Sequence, residues 1–155
     1  MAALQDLMSN APNSRVEVRV LIRSVPDALA SSSGDATEFQ DLRREHATLV
    51  QVTEGQAAPL VRVLSELLLN AEKHAAAAHP SRSVHLDAAG TDIRISVRHR
   101  IDAVAASARR WETGPSGLAL VQSLLESLDF RLDMTIQGEQ WVAGFSLHCV
   151  HGPST

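Results

Sequence analysis

The chain has 155 residues, of which 45% are hydrophobic and 21% charged, with a net charge of −4. This composition indicates one globular domain and excludes a disordered chain, and the acidic balance argues against a general nucleic-acid binder. The single cysteine, Cys149, excludes an internal disulfide, and no apolar run approaches the roughly 20 residues that a membrane span needs. We therefore expect a cytoplasmic protein with no nucleic-acid or membrane partner.

The N-terminal third predicts two strands and a short helix after a flexible segment at residues 1–14. Apolar residues alternate with polar ones over residues 15–23, which is strand periodicity. Residues 36–46 fit a short helix with Phe39 and Leu42 facing inward, and residues 48–53 fit a second strand. We expect a single domain to extend over residues 15–150.

The most regular helical pattern covers residues 57–78. Pro59 suits a first turn and Pro80 a stop. Apolar residues recur at spacings of three and four, at Leu60, Val63, Leu64, Leu67, Leu68 and Ala71.

The second half predicts two strand pairs and one more helix. Strands at residues 84–88 and 93–97 flank Gly90, and residues 101–113 fit a short helix with a loop. An amphipathic helix follows at residues 116–128. Two last strands, at residues 130–136 and 141–149, are joined by a turn at residues 137–139.

Each predicted strand has one apolar and one polar face. That pattern is typical of a sheet with helices on one side, whereas a doubly wound parallel sheet would show continuously apolar strands. The predicted fold class is α+β: a two-layer sandwich with a mixed, mostly antiparallel sheet and helices on one face.

Polar residues form a stripe along the long helix. Glu66, Asn70 and Lys73 stand at i, i+4 and i+7, with His74 beside them. A solvated helix flank is one interpretation. The string from Ser65 to His74 also resembles the N box of the histidine-kinase-like ATPases, a superfamily of sensor kinase catalytic domains, gyrase-type ATPases and anti-sigma-factor kinases. The resemblance implies that Asn70 holds the Mg²⁺ that bridges nucleotide phosphates. It implies a base or orienting role for Glu66, and phosphate contacts for Lys73 and His74.

A second motif lies at residues 114–120, Gly-Pro-Ser-Gly-Leu-Ala-Leu, before the amphipathic helix. A turn with a helix cap is the simpler interpretation. The motif also resembles the second glycine box of the same superfamily, where backbone amides approach phosphates at a helix N-terminus. The resemblance implies that Gly114, Gly117 and Leu118 line a nucleotide pocket. It covers residues 48–149.

The first glycine box of the superfamily, Asp-x-Gly-x-Gly, has no counterpart here. The matching segment is Val97-Arg-His-Arg-Ile-Asp-Ala103, so His99 stands where the resemblance implies the aspartate that binds the adenine amino group. Alternation places His99 on the inward strand face with Ile95 and Val97. His99 is then a buried core residue, a contact to the adenine base or a contact to a protein partner. Asp102 could take the adenine-binding position only after a register shift of the strand.

Two further features leave alternatives open. Arg94, Arg98 and Arg100 share the outer face of one strand, as a solvated sheet face or as a surface for an acidic partner. His46 is the one N-terminal histidine that could accept a phosphoryl group, but its segment does not predict the two long helices that such an acceptor needs.

From these observations we expect a bacterial signalling protein with a degenerate nucleotide pocket and no resident cofactor. It would bind a protein partner such as a response regulator, a kinase or a sigma-factor-system component, and a homodimer is compatible with the pattern. The alternative is a functional ATP-dependent kinase domain that binds Mg-ATP or Mg-ADP and phosphorylates a partner. A small α+β binding domain with accidental motif matches is the third interpretation.

Overall fold

A computed structural model of the chain describes residues 15–33, 37–41, 51–74, 82–89, 92–102 and 117–148. Three helices and seven strands alternate through these ranges. In chain order they are β1 (Arg15–Glu17), α1 (Val18–Ser33), β2 (Thr37–Asp41), β3 (Gln51–Thr53), α2 (Glu54–His74), β4 (Arg82–Ala89), β5 (Asp92–Arg100), α3 (Gly117–Ser127), β6 (Asp133–Gln137) and β7 (Gln140–His148).

Five strands form the main sheet, in the order β2-β4-β5-β7-β6. The β2–β4 pair is parallel and the other three pairs are antiparallel, while β1 and β3 form a separate antiparallel pair. One face of the main sheet packs with all three helices into a single apolar core. The expected two-layer α+β sandwich with a mixed, mostly antiparallel sheet is therefore confirmed.

The prediction of a strand over residues 15–23 is wrong beyond Glu17. The chain pairs with β3 only through Arg15–Glu17 and then enters α1. Val18, Leu21, Ile22 and Val25 are all buried, at spacings of three and four. Val18 and Ile22 fit both the helical spacing and the alternation of a strand. The helix forms because it also buries Leu21 and Val25.

The prediction of a helix over residues 36–46 is also wrong where the structure describes the chain. Thr37–Asp41 is the edge strand β2, paired in parallel with β4. A parallel neighbour that lies 45 positions further along the chain (Thr37 opposite Arg82) supplies the backbone hydrogen bonds that a helix would have made locally.

The long helix begins earlier than predicted, at Glu54 rather than at residue 57. The side-chain oxygen of Gln56 accepts a hydrogen bond from the backbone N–H of Thr53 at 3.1 Å. This is the reciprocal half of a capping box, which satisfies a donor that would otherwise be left open at a helix start. Pro59 therefore lies inside the helix rather than in its first turn.

The later elements follow the predictions more closely. β4 and β5 form the expected antiparallel pair, and α3 occupies most of residues 116–128. The last hairpin turns through Gly138 as expected, but β6 begins at Asp133 rather than at residue 130. Phe130 and Leu132 precede the strand and pack against the core from the connection.

The outer face of the sheet carries three cross-strand ion pairs. Arg94 pairs with Asp133 at 2.9 Å, Arg98 with Asp87 at 3.4 Å and Arg100 with Glu139 at 2.9 Å. Each arginine that the sequence places on this face thus has an acidic partner within the chain. This arrangement favours the solvated sheet face over a surface reserved for an acidic partner.

Several predictions lie outside the described residues. They concern the N-terminal segment 1–14, His46, the helix beyond His74, the turn at Gly90, most of the stretch 101–113, Gly114 and Cys149.

Candidate functional site

The polar stripe predicted on the long helix lies at the edge of the buried face of α2. The side chain of Glu66 is 17% exposed, Asn70 is half-buried, and Lys73 and His74 are exposed. The buried face beside the stripe packs in the core. The stripe therefore presents carboxylate, amide and cationic groups in succession toward the C-terminal end of α2.

Glu66 is held from two sides. Its carboxylate forms an ion pair with Arg62, one turn earlier, at 2.8 Å. It also lies directly against Gly117, the first residue of α3: a Cβ placed on Gly117 would lie 3.2 Å from the carboxyl carbon of Glu66 and would collide with its Oε2. A side chain at position 117 would require this carboxylate to move, so the structure brings the two sequence motifs into contact.

Leu118 follows Gly117 and is half-buried against the core. Its aliphatic side chain helps to anchor the first turn of α3. Of the residues that the resemblance implies at the second glycine box, the structure thus describes Gly117 and Leu118.

His99 lies on the inward face of β5, as alternation predicts, and is 2% exposed. Its ring faces Trp141 of β7, with the ring centroids 4.8 Å apart and the planes tilted by 46°. Neither ring nitrogen has a hydrogen-bond partner among the described residues. Burial, and secondarily the charge of His74, lowers the pKa of His99 to about 4. His99 is therefore neutral at ordinary pH.

The histidine has a cationic neighbour that the motif analysis missed. Arg82 lies opposite His99 in the β4–β5 register, and its side chain is only 2% exposed. It forms an ion pair with Glu72 of α2 at 3.1 Å. The alternation of inward and outward residues along this strand indicates the position of Arg82, because it places Arg82 on the inward face with Val84 and Leu86. A charged residue in such a series indicates a buried ion pair.

The structure does not bring Asp102 to the position of His99. Asp102 lies beyond the end of β5 and is exposed. Ile101 before it is buried, and its backbone N–H donates to the carbonyl of Glu139 at 2.9 Å, which fixes the end of the strand. The inward face at this end of β5 therefore carries an imidazole and no carboxylate.

The two ends of this site differ in how well they suit a magnesium–nucleotide complex. At one end, Asn70 offers an uncharged oxygen beside Lys73 and His74, which suits Mg²⁺ and phosphate groups. At the other end, the rings of His99 and Trp141 are packed together, and the inward strand face there carries no carboxylate among the described residues. Across the described part of the chain, no three His, Cys, Asp or Glu side chains converge to hold a metal ion by themselves.

None of the helices in the described ranges is both long and apolar enough to cross a bilayer.

No protein-family model matches the sequence, and no curated protein matches it either. Solved structures do match. Histidine kinase AdeS of Acinetobacter baumannii is 12% identical, with a TM-score of 0.65 over 97% of this chain and 74% of that one. The nucleotide-free catalytic domain of histidine kinase ThkA is 15% identical, with a TM-score of 0.63 over 90% and 98%. The mycobacterial sensor histidine kinase MprB is 18% identical, with a TM-score of 0.61 over 88% and 97%. The chain therefore has the histidine-kinase-like ATPase fold.

Proposed function

We propose that this chain is a signalling protein that uses the histidine-kinase-like ATPase fold to bind a protein partner, with a degenerate nucleotide pocket. The observation that carries the proposal is His99. It stands where the resemblance implies the adenine-binding carboxylate, and it is neutral, buried and packed against Trp141.

The chemistry of this replacement weakens nucleotide binding. A neutral imidazole has one donor and one acceptor and cannot reproduce an aspartate that accepts from an amino group. A hydrogen bond to a charged group contributes about 1.5–3 kcal/mol, or roughly 10- to 150-fold in affinity. The absence of the glycines that would make room beside the base adds a steric cost.

A second candidate is an ATP-binding kinase domain that phosphorylates a partner in trans. The observation in its favour is the contact between Glu66 and Gly117, which joins the two motifs that approach phosphates in the superfamily. Asn70 would then supply an oxygen ligand to Mg²⁺, and Lys73 and His74 would neutralise phosphate charge. The bound ion would stabilise negative charge on the phosphates.

The two candidates are separated by titration of Mg-ATP and Mg-ADP into the purified chain by calorimetry. We expect no binding heat at millimolar nucleotide. Micromolar binding that Asn70→Ala abolishes, and that the matched exposed variant Gln122→Ala retains, would overturn the degenerate pocket in favour of the kinase. His99→Asp adds a gain-of-function arm: it restores the missing carboxylate, so measurable binding in this variant alone would support the proposal. Circular dichroism melts check that each variant is folded.

The partner classes that fit this proposal are response regulators, kinases and components of sigma-factor systems. Cross-linking in the native cell, followed by purification of the chain, identifies the partner directly. A stable complex with one of these proteins that survives Asn70→Ala would support partner binding without nucleotide. Recovery of no signalling protein in repeated experiments would contradict it.

A further inference from the structure

β6 is the terminal strand of the main sheet. β7 lies on one side of it, and among the described residues no strand lies on the other. None of its five residues is fully buried, and Met134 is 43% exposed. The strand contains no lysine and no proline, two residues that natural proteins use to protect an open edge.

The hairpin turn determines which backbone groups of β6 point outward. Gly138 and Glu139 form a two-residue turn between Gln137 and Gln140, and Gly138 has a φ of 63°. In such a turn the two flanking residues form a hydrogen-bonded pair. Because these pairs alternate along antiparallel strands, Gln137, Thr135 and Asp133 bond to β7. The N–H and C=O groups of Met134 and Ile136 therefore face away from the sheet.

These four outward groups are self-complementary. If two copies of β6 pair antiparallel about a two-fold axis through Thr135, Met134 lies opposite Ile136 of the second copy. Both residues exchange both of their backbone hydrogen bonds, so four bonds form across the axis. The exposed thioether of Met134 then packs against an aliphatic side chain rather than water.

The charges also suit this register. Asp133, the single ionisable residue of β6, falls opposite the neutral Gln137 of the second copy. Its charge is already paired with Arg94 at 2.9 Å. No like charges meet, and the uncharged Thr135 faces its own copy at the axis.

We propose that this chain forms a homodimer by antiparallel pairing of β6 with β6 of a second copy, which joins two five-stranded sheets into one. The occupant of the edge is a second copy because the strand is complementary to itself, residue by residue. This interface is independent of the nucleotide site and of the proposed function, and the contact is isologous, as two-fold dimers require.

Charge substitutions at the axis test the interface. Thr135 is exposed on the outer face of the sheet, so Thr135→Lys and Thr135→Glu leave the core intact. In each variant two like charges face each other across the axis and weaken the dimer about fivefold or more. An equal mixture of the two variants places opposite charges there and restores association. Sedimentation equilibrium from micromolar to near-millimolar protein measures all three cases.

Proline variants provide a second arm. Met134→Pro removes an outward N–H that the monomer does not use, so the monomer folds and the dimer is lost. The matched variant Thr135→Pro removes an N–H that bonds to β7 and lowers the melting temperature of the monomer. Wild-type protein that stays monomeric at every concentration would overturn the proposal. So would a dimer that Met134→Pro and both charge variants leave unchanged.

Discussion

Gly117 and Glu66 are in direct contact: the first residue of α3 has no side chain at the point where the carboxylate of α2 lies. The contact ties the start of one helix to the middle of the other. It also fixes the separation of the two motifs that carry the resemblance. A substitution at either residue should therefore also displace the other.

Gly117→Ala tests this contact. The added methyl group displaces the carboxylate of Glu66 and disturbs its exposed ion pair with Arg62, which offsets the stabilisation of up to about 1 kcal/mol that alanine otherwise brings to a helix. In a Glu66→Ala background the space is free, and alanine is the better helix former, so the same change becomes neutral or stabilising. Urea denaturation of the four proteins of this cycle measures the coupling. An equal effect of Gly117→Ala on the unfolding free energy in both backgrounds would contradict the contact.

The buried imidazole predicts a loss of stability in mild acid. His99 has a pKa of about 4 in the folded chain against 6.5 when unfolded. Between these values the unfolded chain binds a proton that the folded chain does not, so the unfolding free energy falls as the pH falls from 6.5 toward 4. The full effect is about 3 kcal/mol. His99→Phe removes this contribution, and its stability should vary less with pH across the same range, as thermal melts at several pH values would show.

The two ion pairs of α2 should differ in their contribution to stability. Arg82 is 2% exposed, whereas Arg62 is 61% exposed. Arg82→Ala leaves Glu72 without this partner and removes a buried aliphatic stem, at a cost of about 2 kcal/mol or more. Arg62→Ala breaks an exposed pair and costs less than about 1 kcal/mol. Denaturant midpoints of the two variants check the order, and a larger effect at Arg62 would overturn it.

The end of α3 offers a stabilising substitution. The backbone N–H of Phe130 donates to the carbonyl of Leu125 at 2.8 Å, and that of Asp129 to the carbonyl of Glu126 at 3.1 Å. These bonds form a Schellman motif, with Asp129 in the left-handed region at a φ of 61°. Asp129→Gly relieves this conformation and should raise stability by about 0.5–1 kcal/mol. Asp129→Ala, the matched control, should lower the melting temperature instead.

The strands and helices of the second half could be predicted because their patterns extend over many residues. β5 alternates from Asp92 to Arg100, and no helical spacing fits the same residues. The start of the chain differs. There Val18 and Ile22 fit both the alternation of a strand and the spacing of a helix. The burial of Leu21 and Val25, which favours the helix, depends on packing against the rest of the core. Edge strand β2 depends on pairing with β4, which no local pattern contains.

The candidate site could be predicted in part for a similar reason. The helical spacing of Glu66, Asn70 and Lys73 is local, so the stripe is visible in the sequence. The ion pair of Arg82 with Glu72 and the packing of His99 on Trp141 each join two different elements. Alternation predicts that these side chains face inward, but it does not identify their partners.

The sheet order constrains how the protein folds as it is synthesised. β7 lies between β5 and β6 although it is the last of the described strands to be made. Until it leaves the ribosome, β6 lacks β7, its one neighbour among the described strands, and β5 has only β4. The leucine-rich face of α2 then lacks the strand that carries Trp141 and Phe145. Closure of this core therefore waits for β7, and the nascent chain exposes apolar surface until that strand is made.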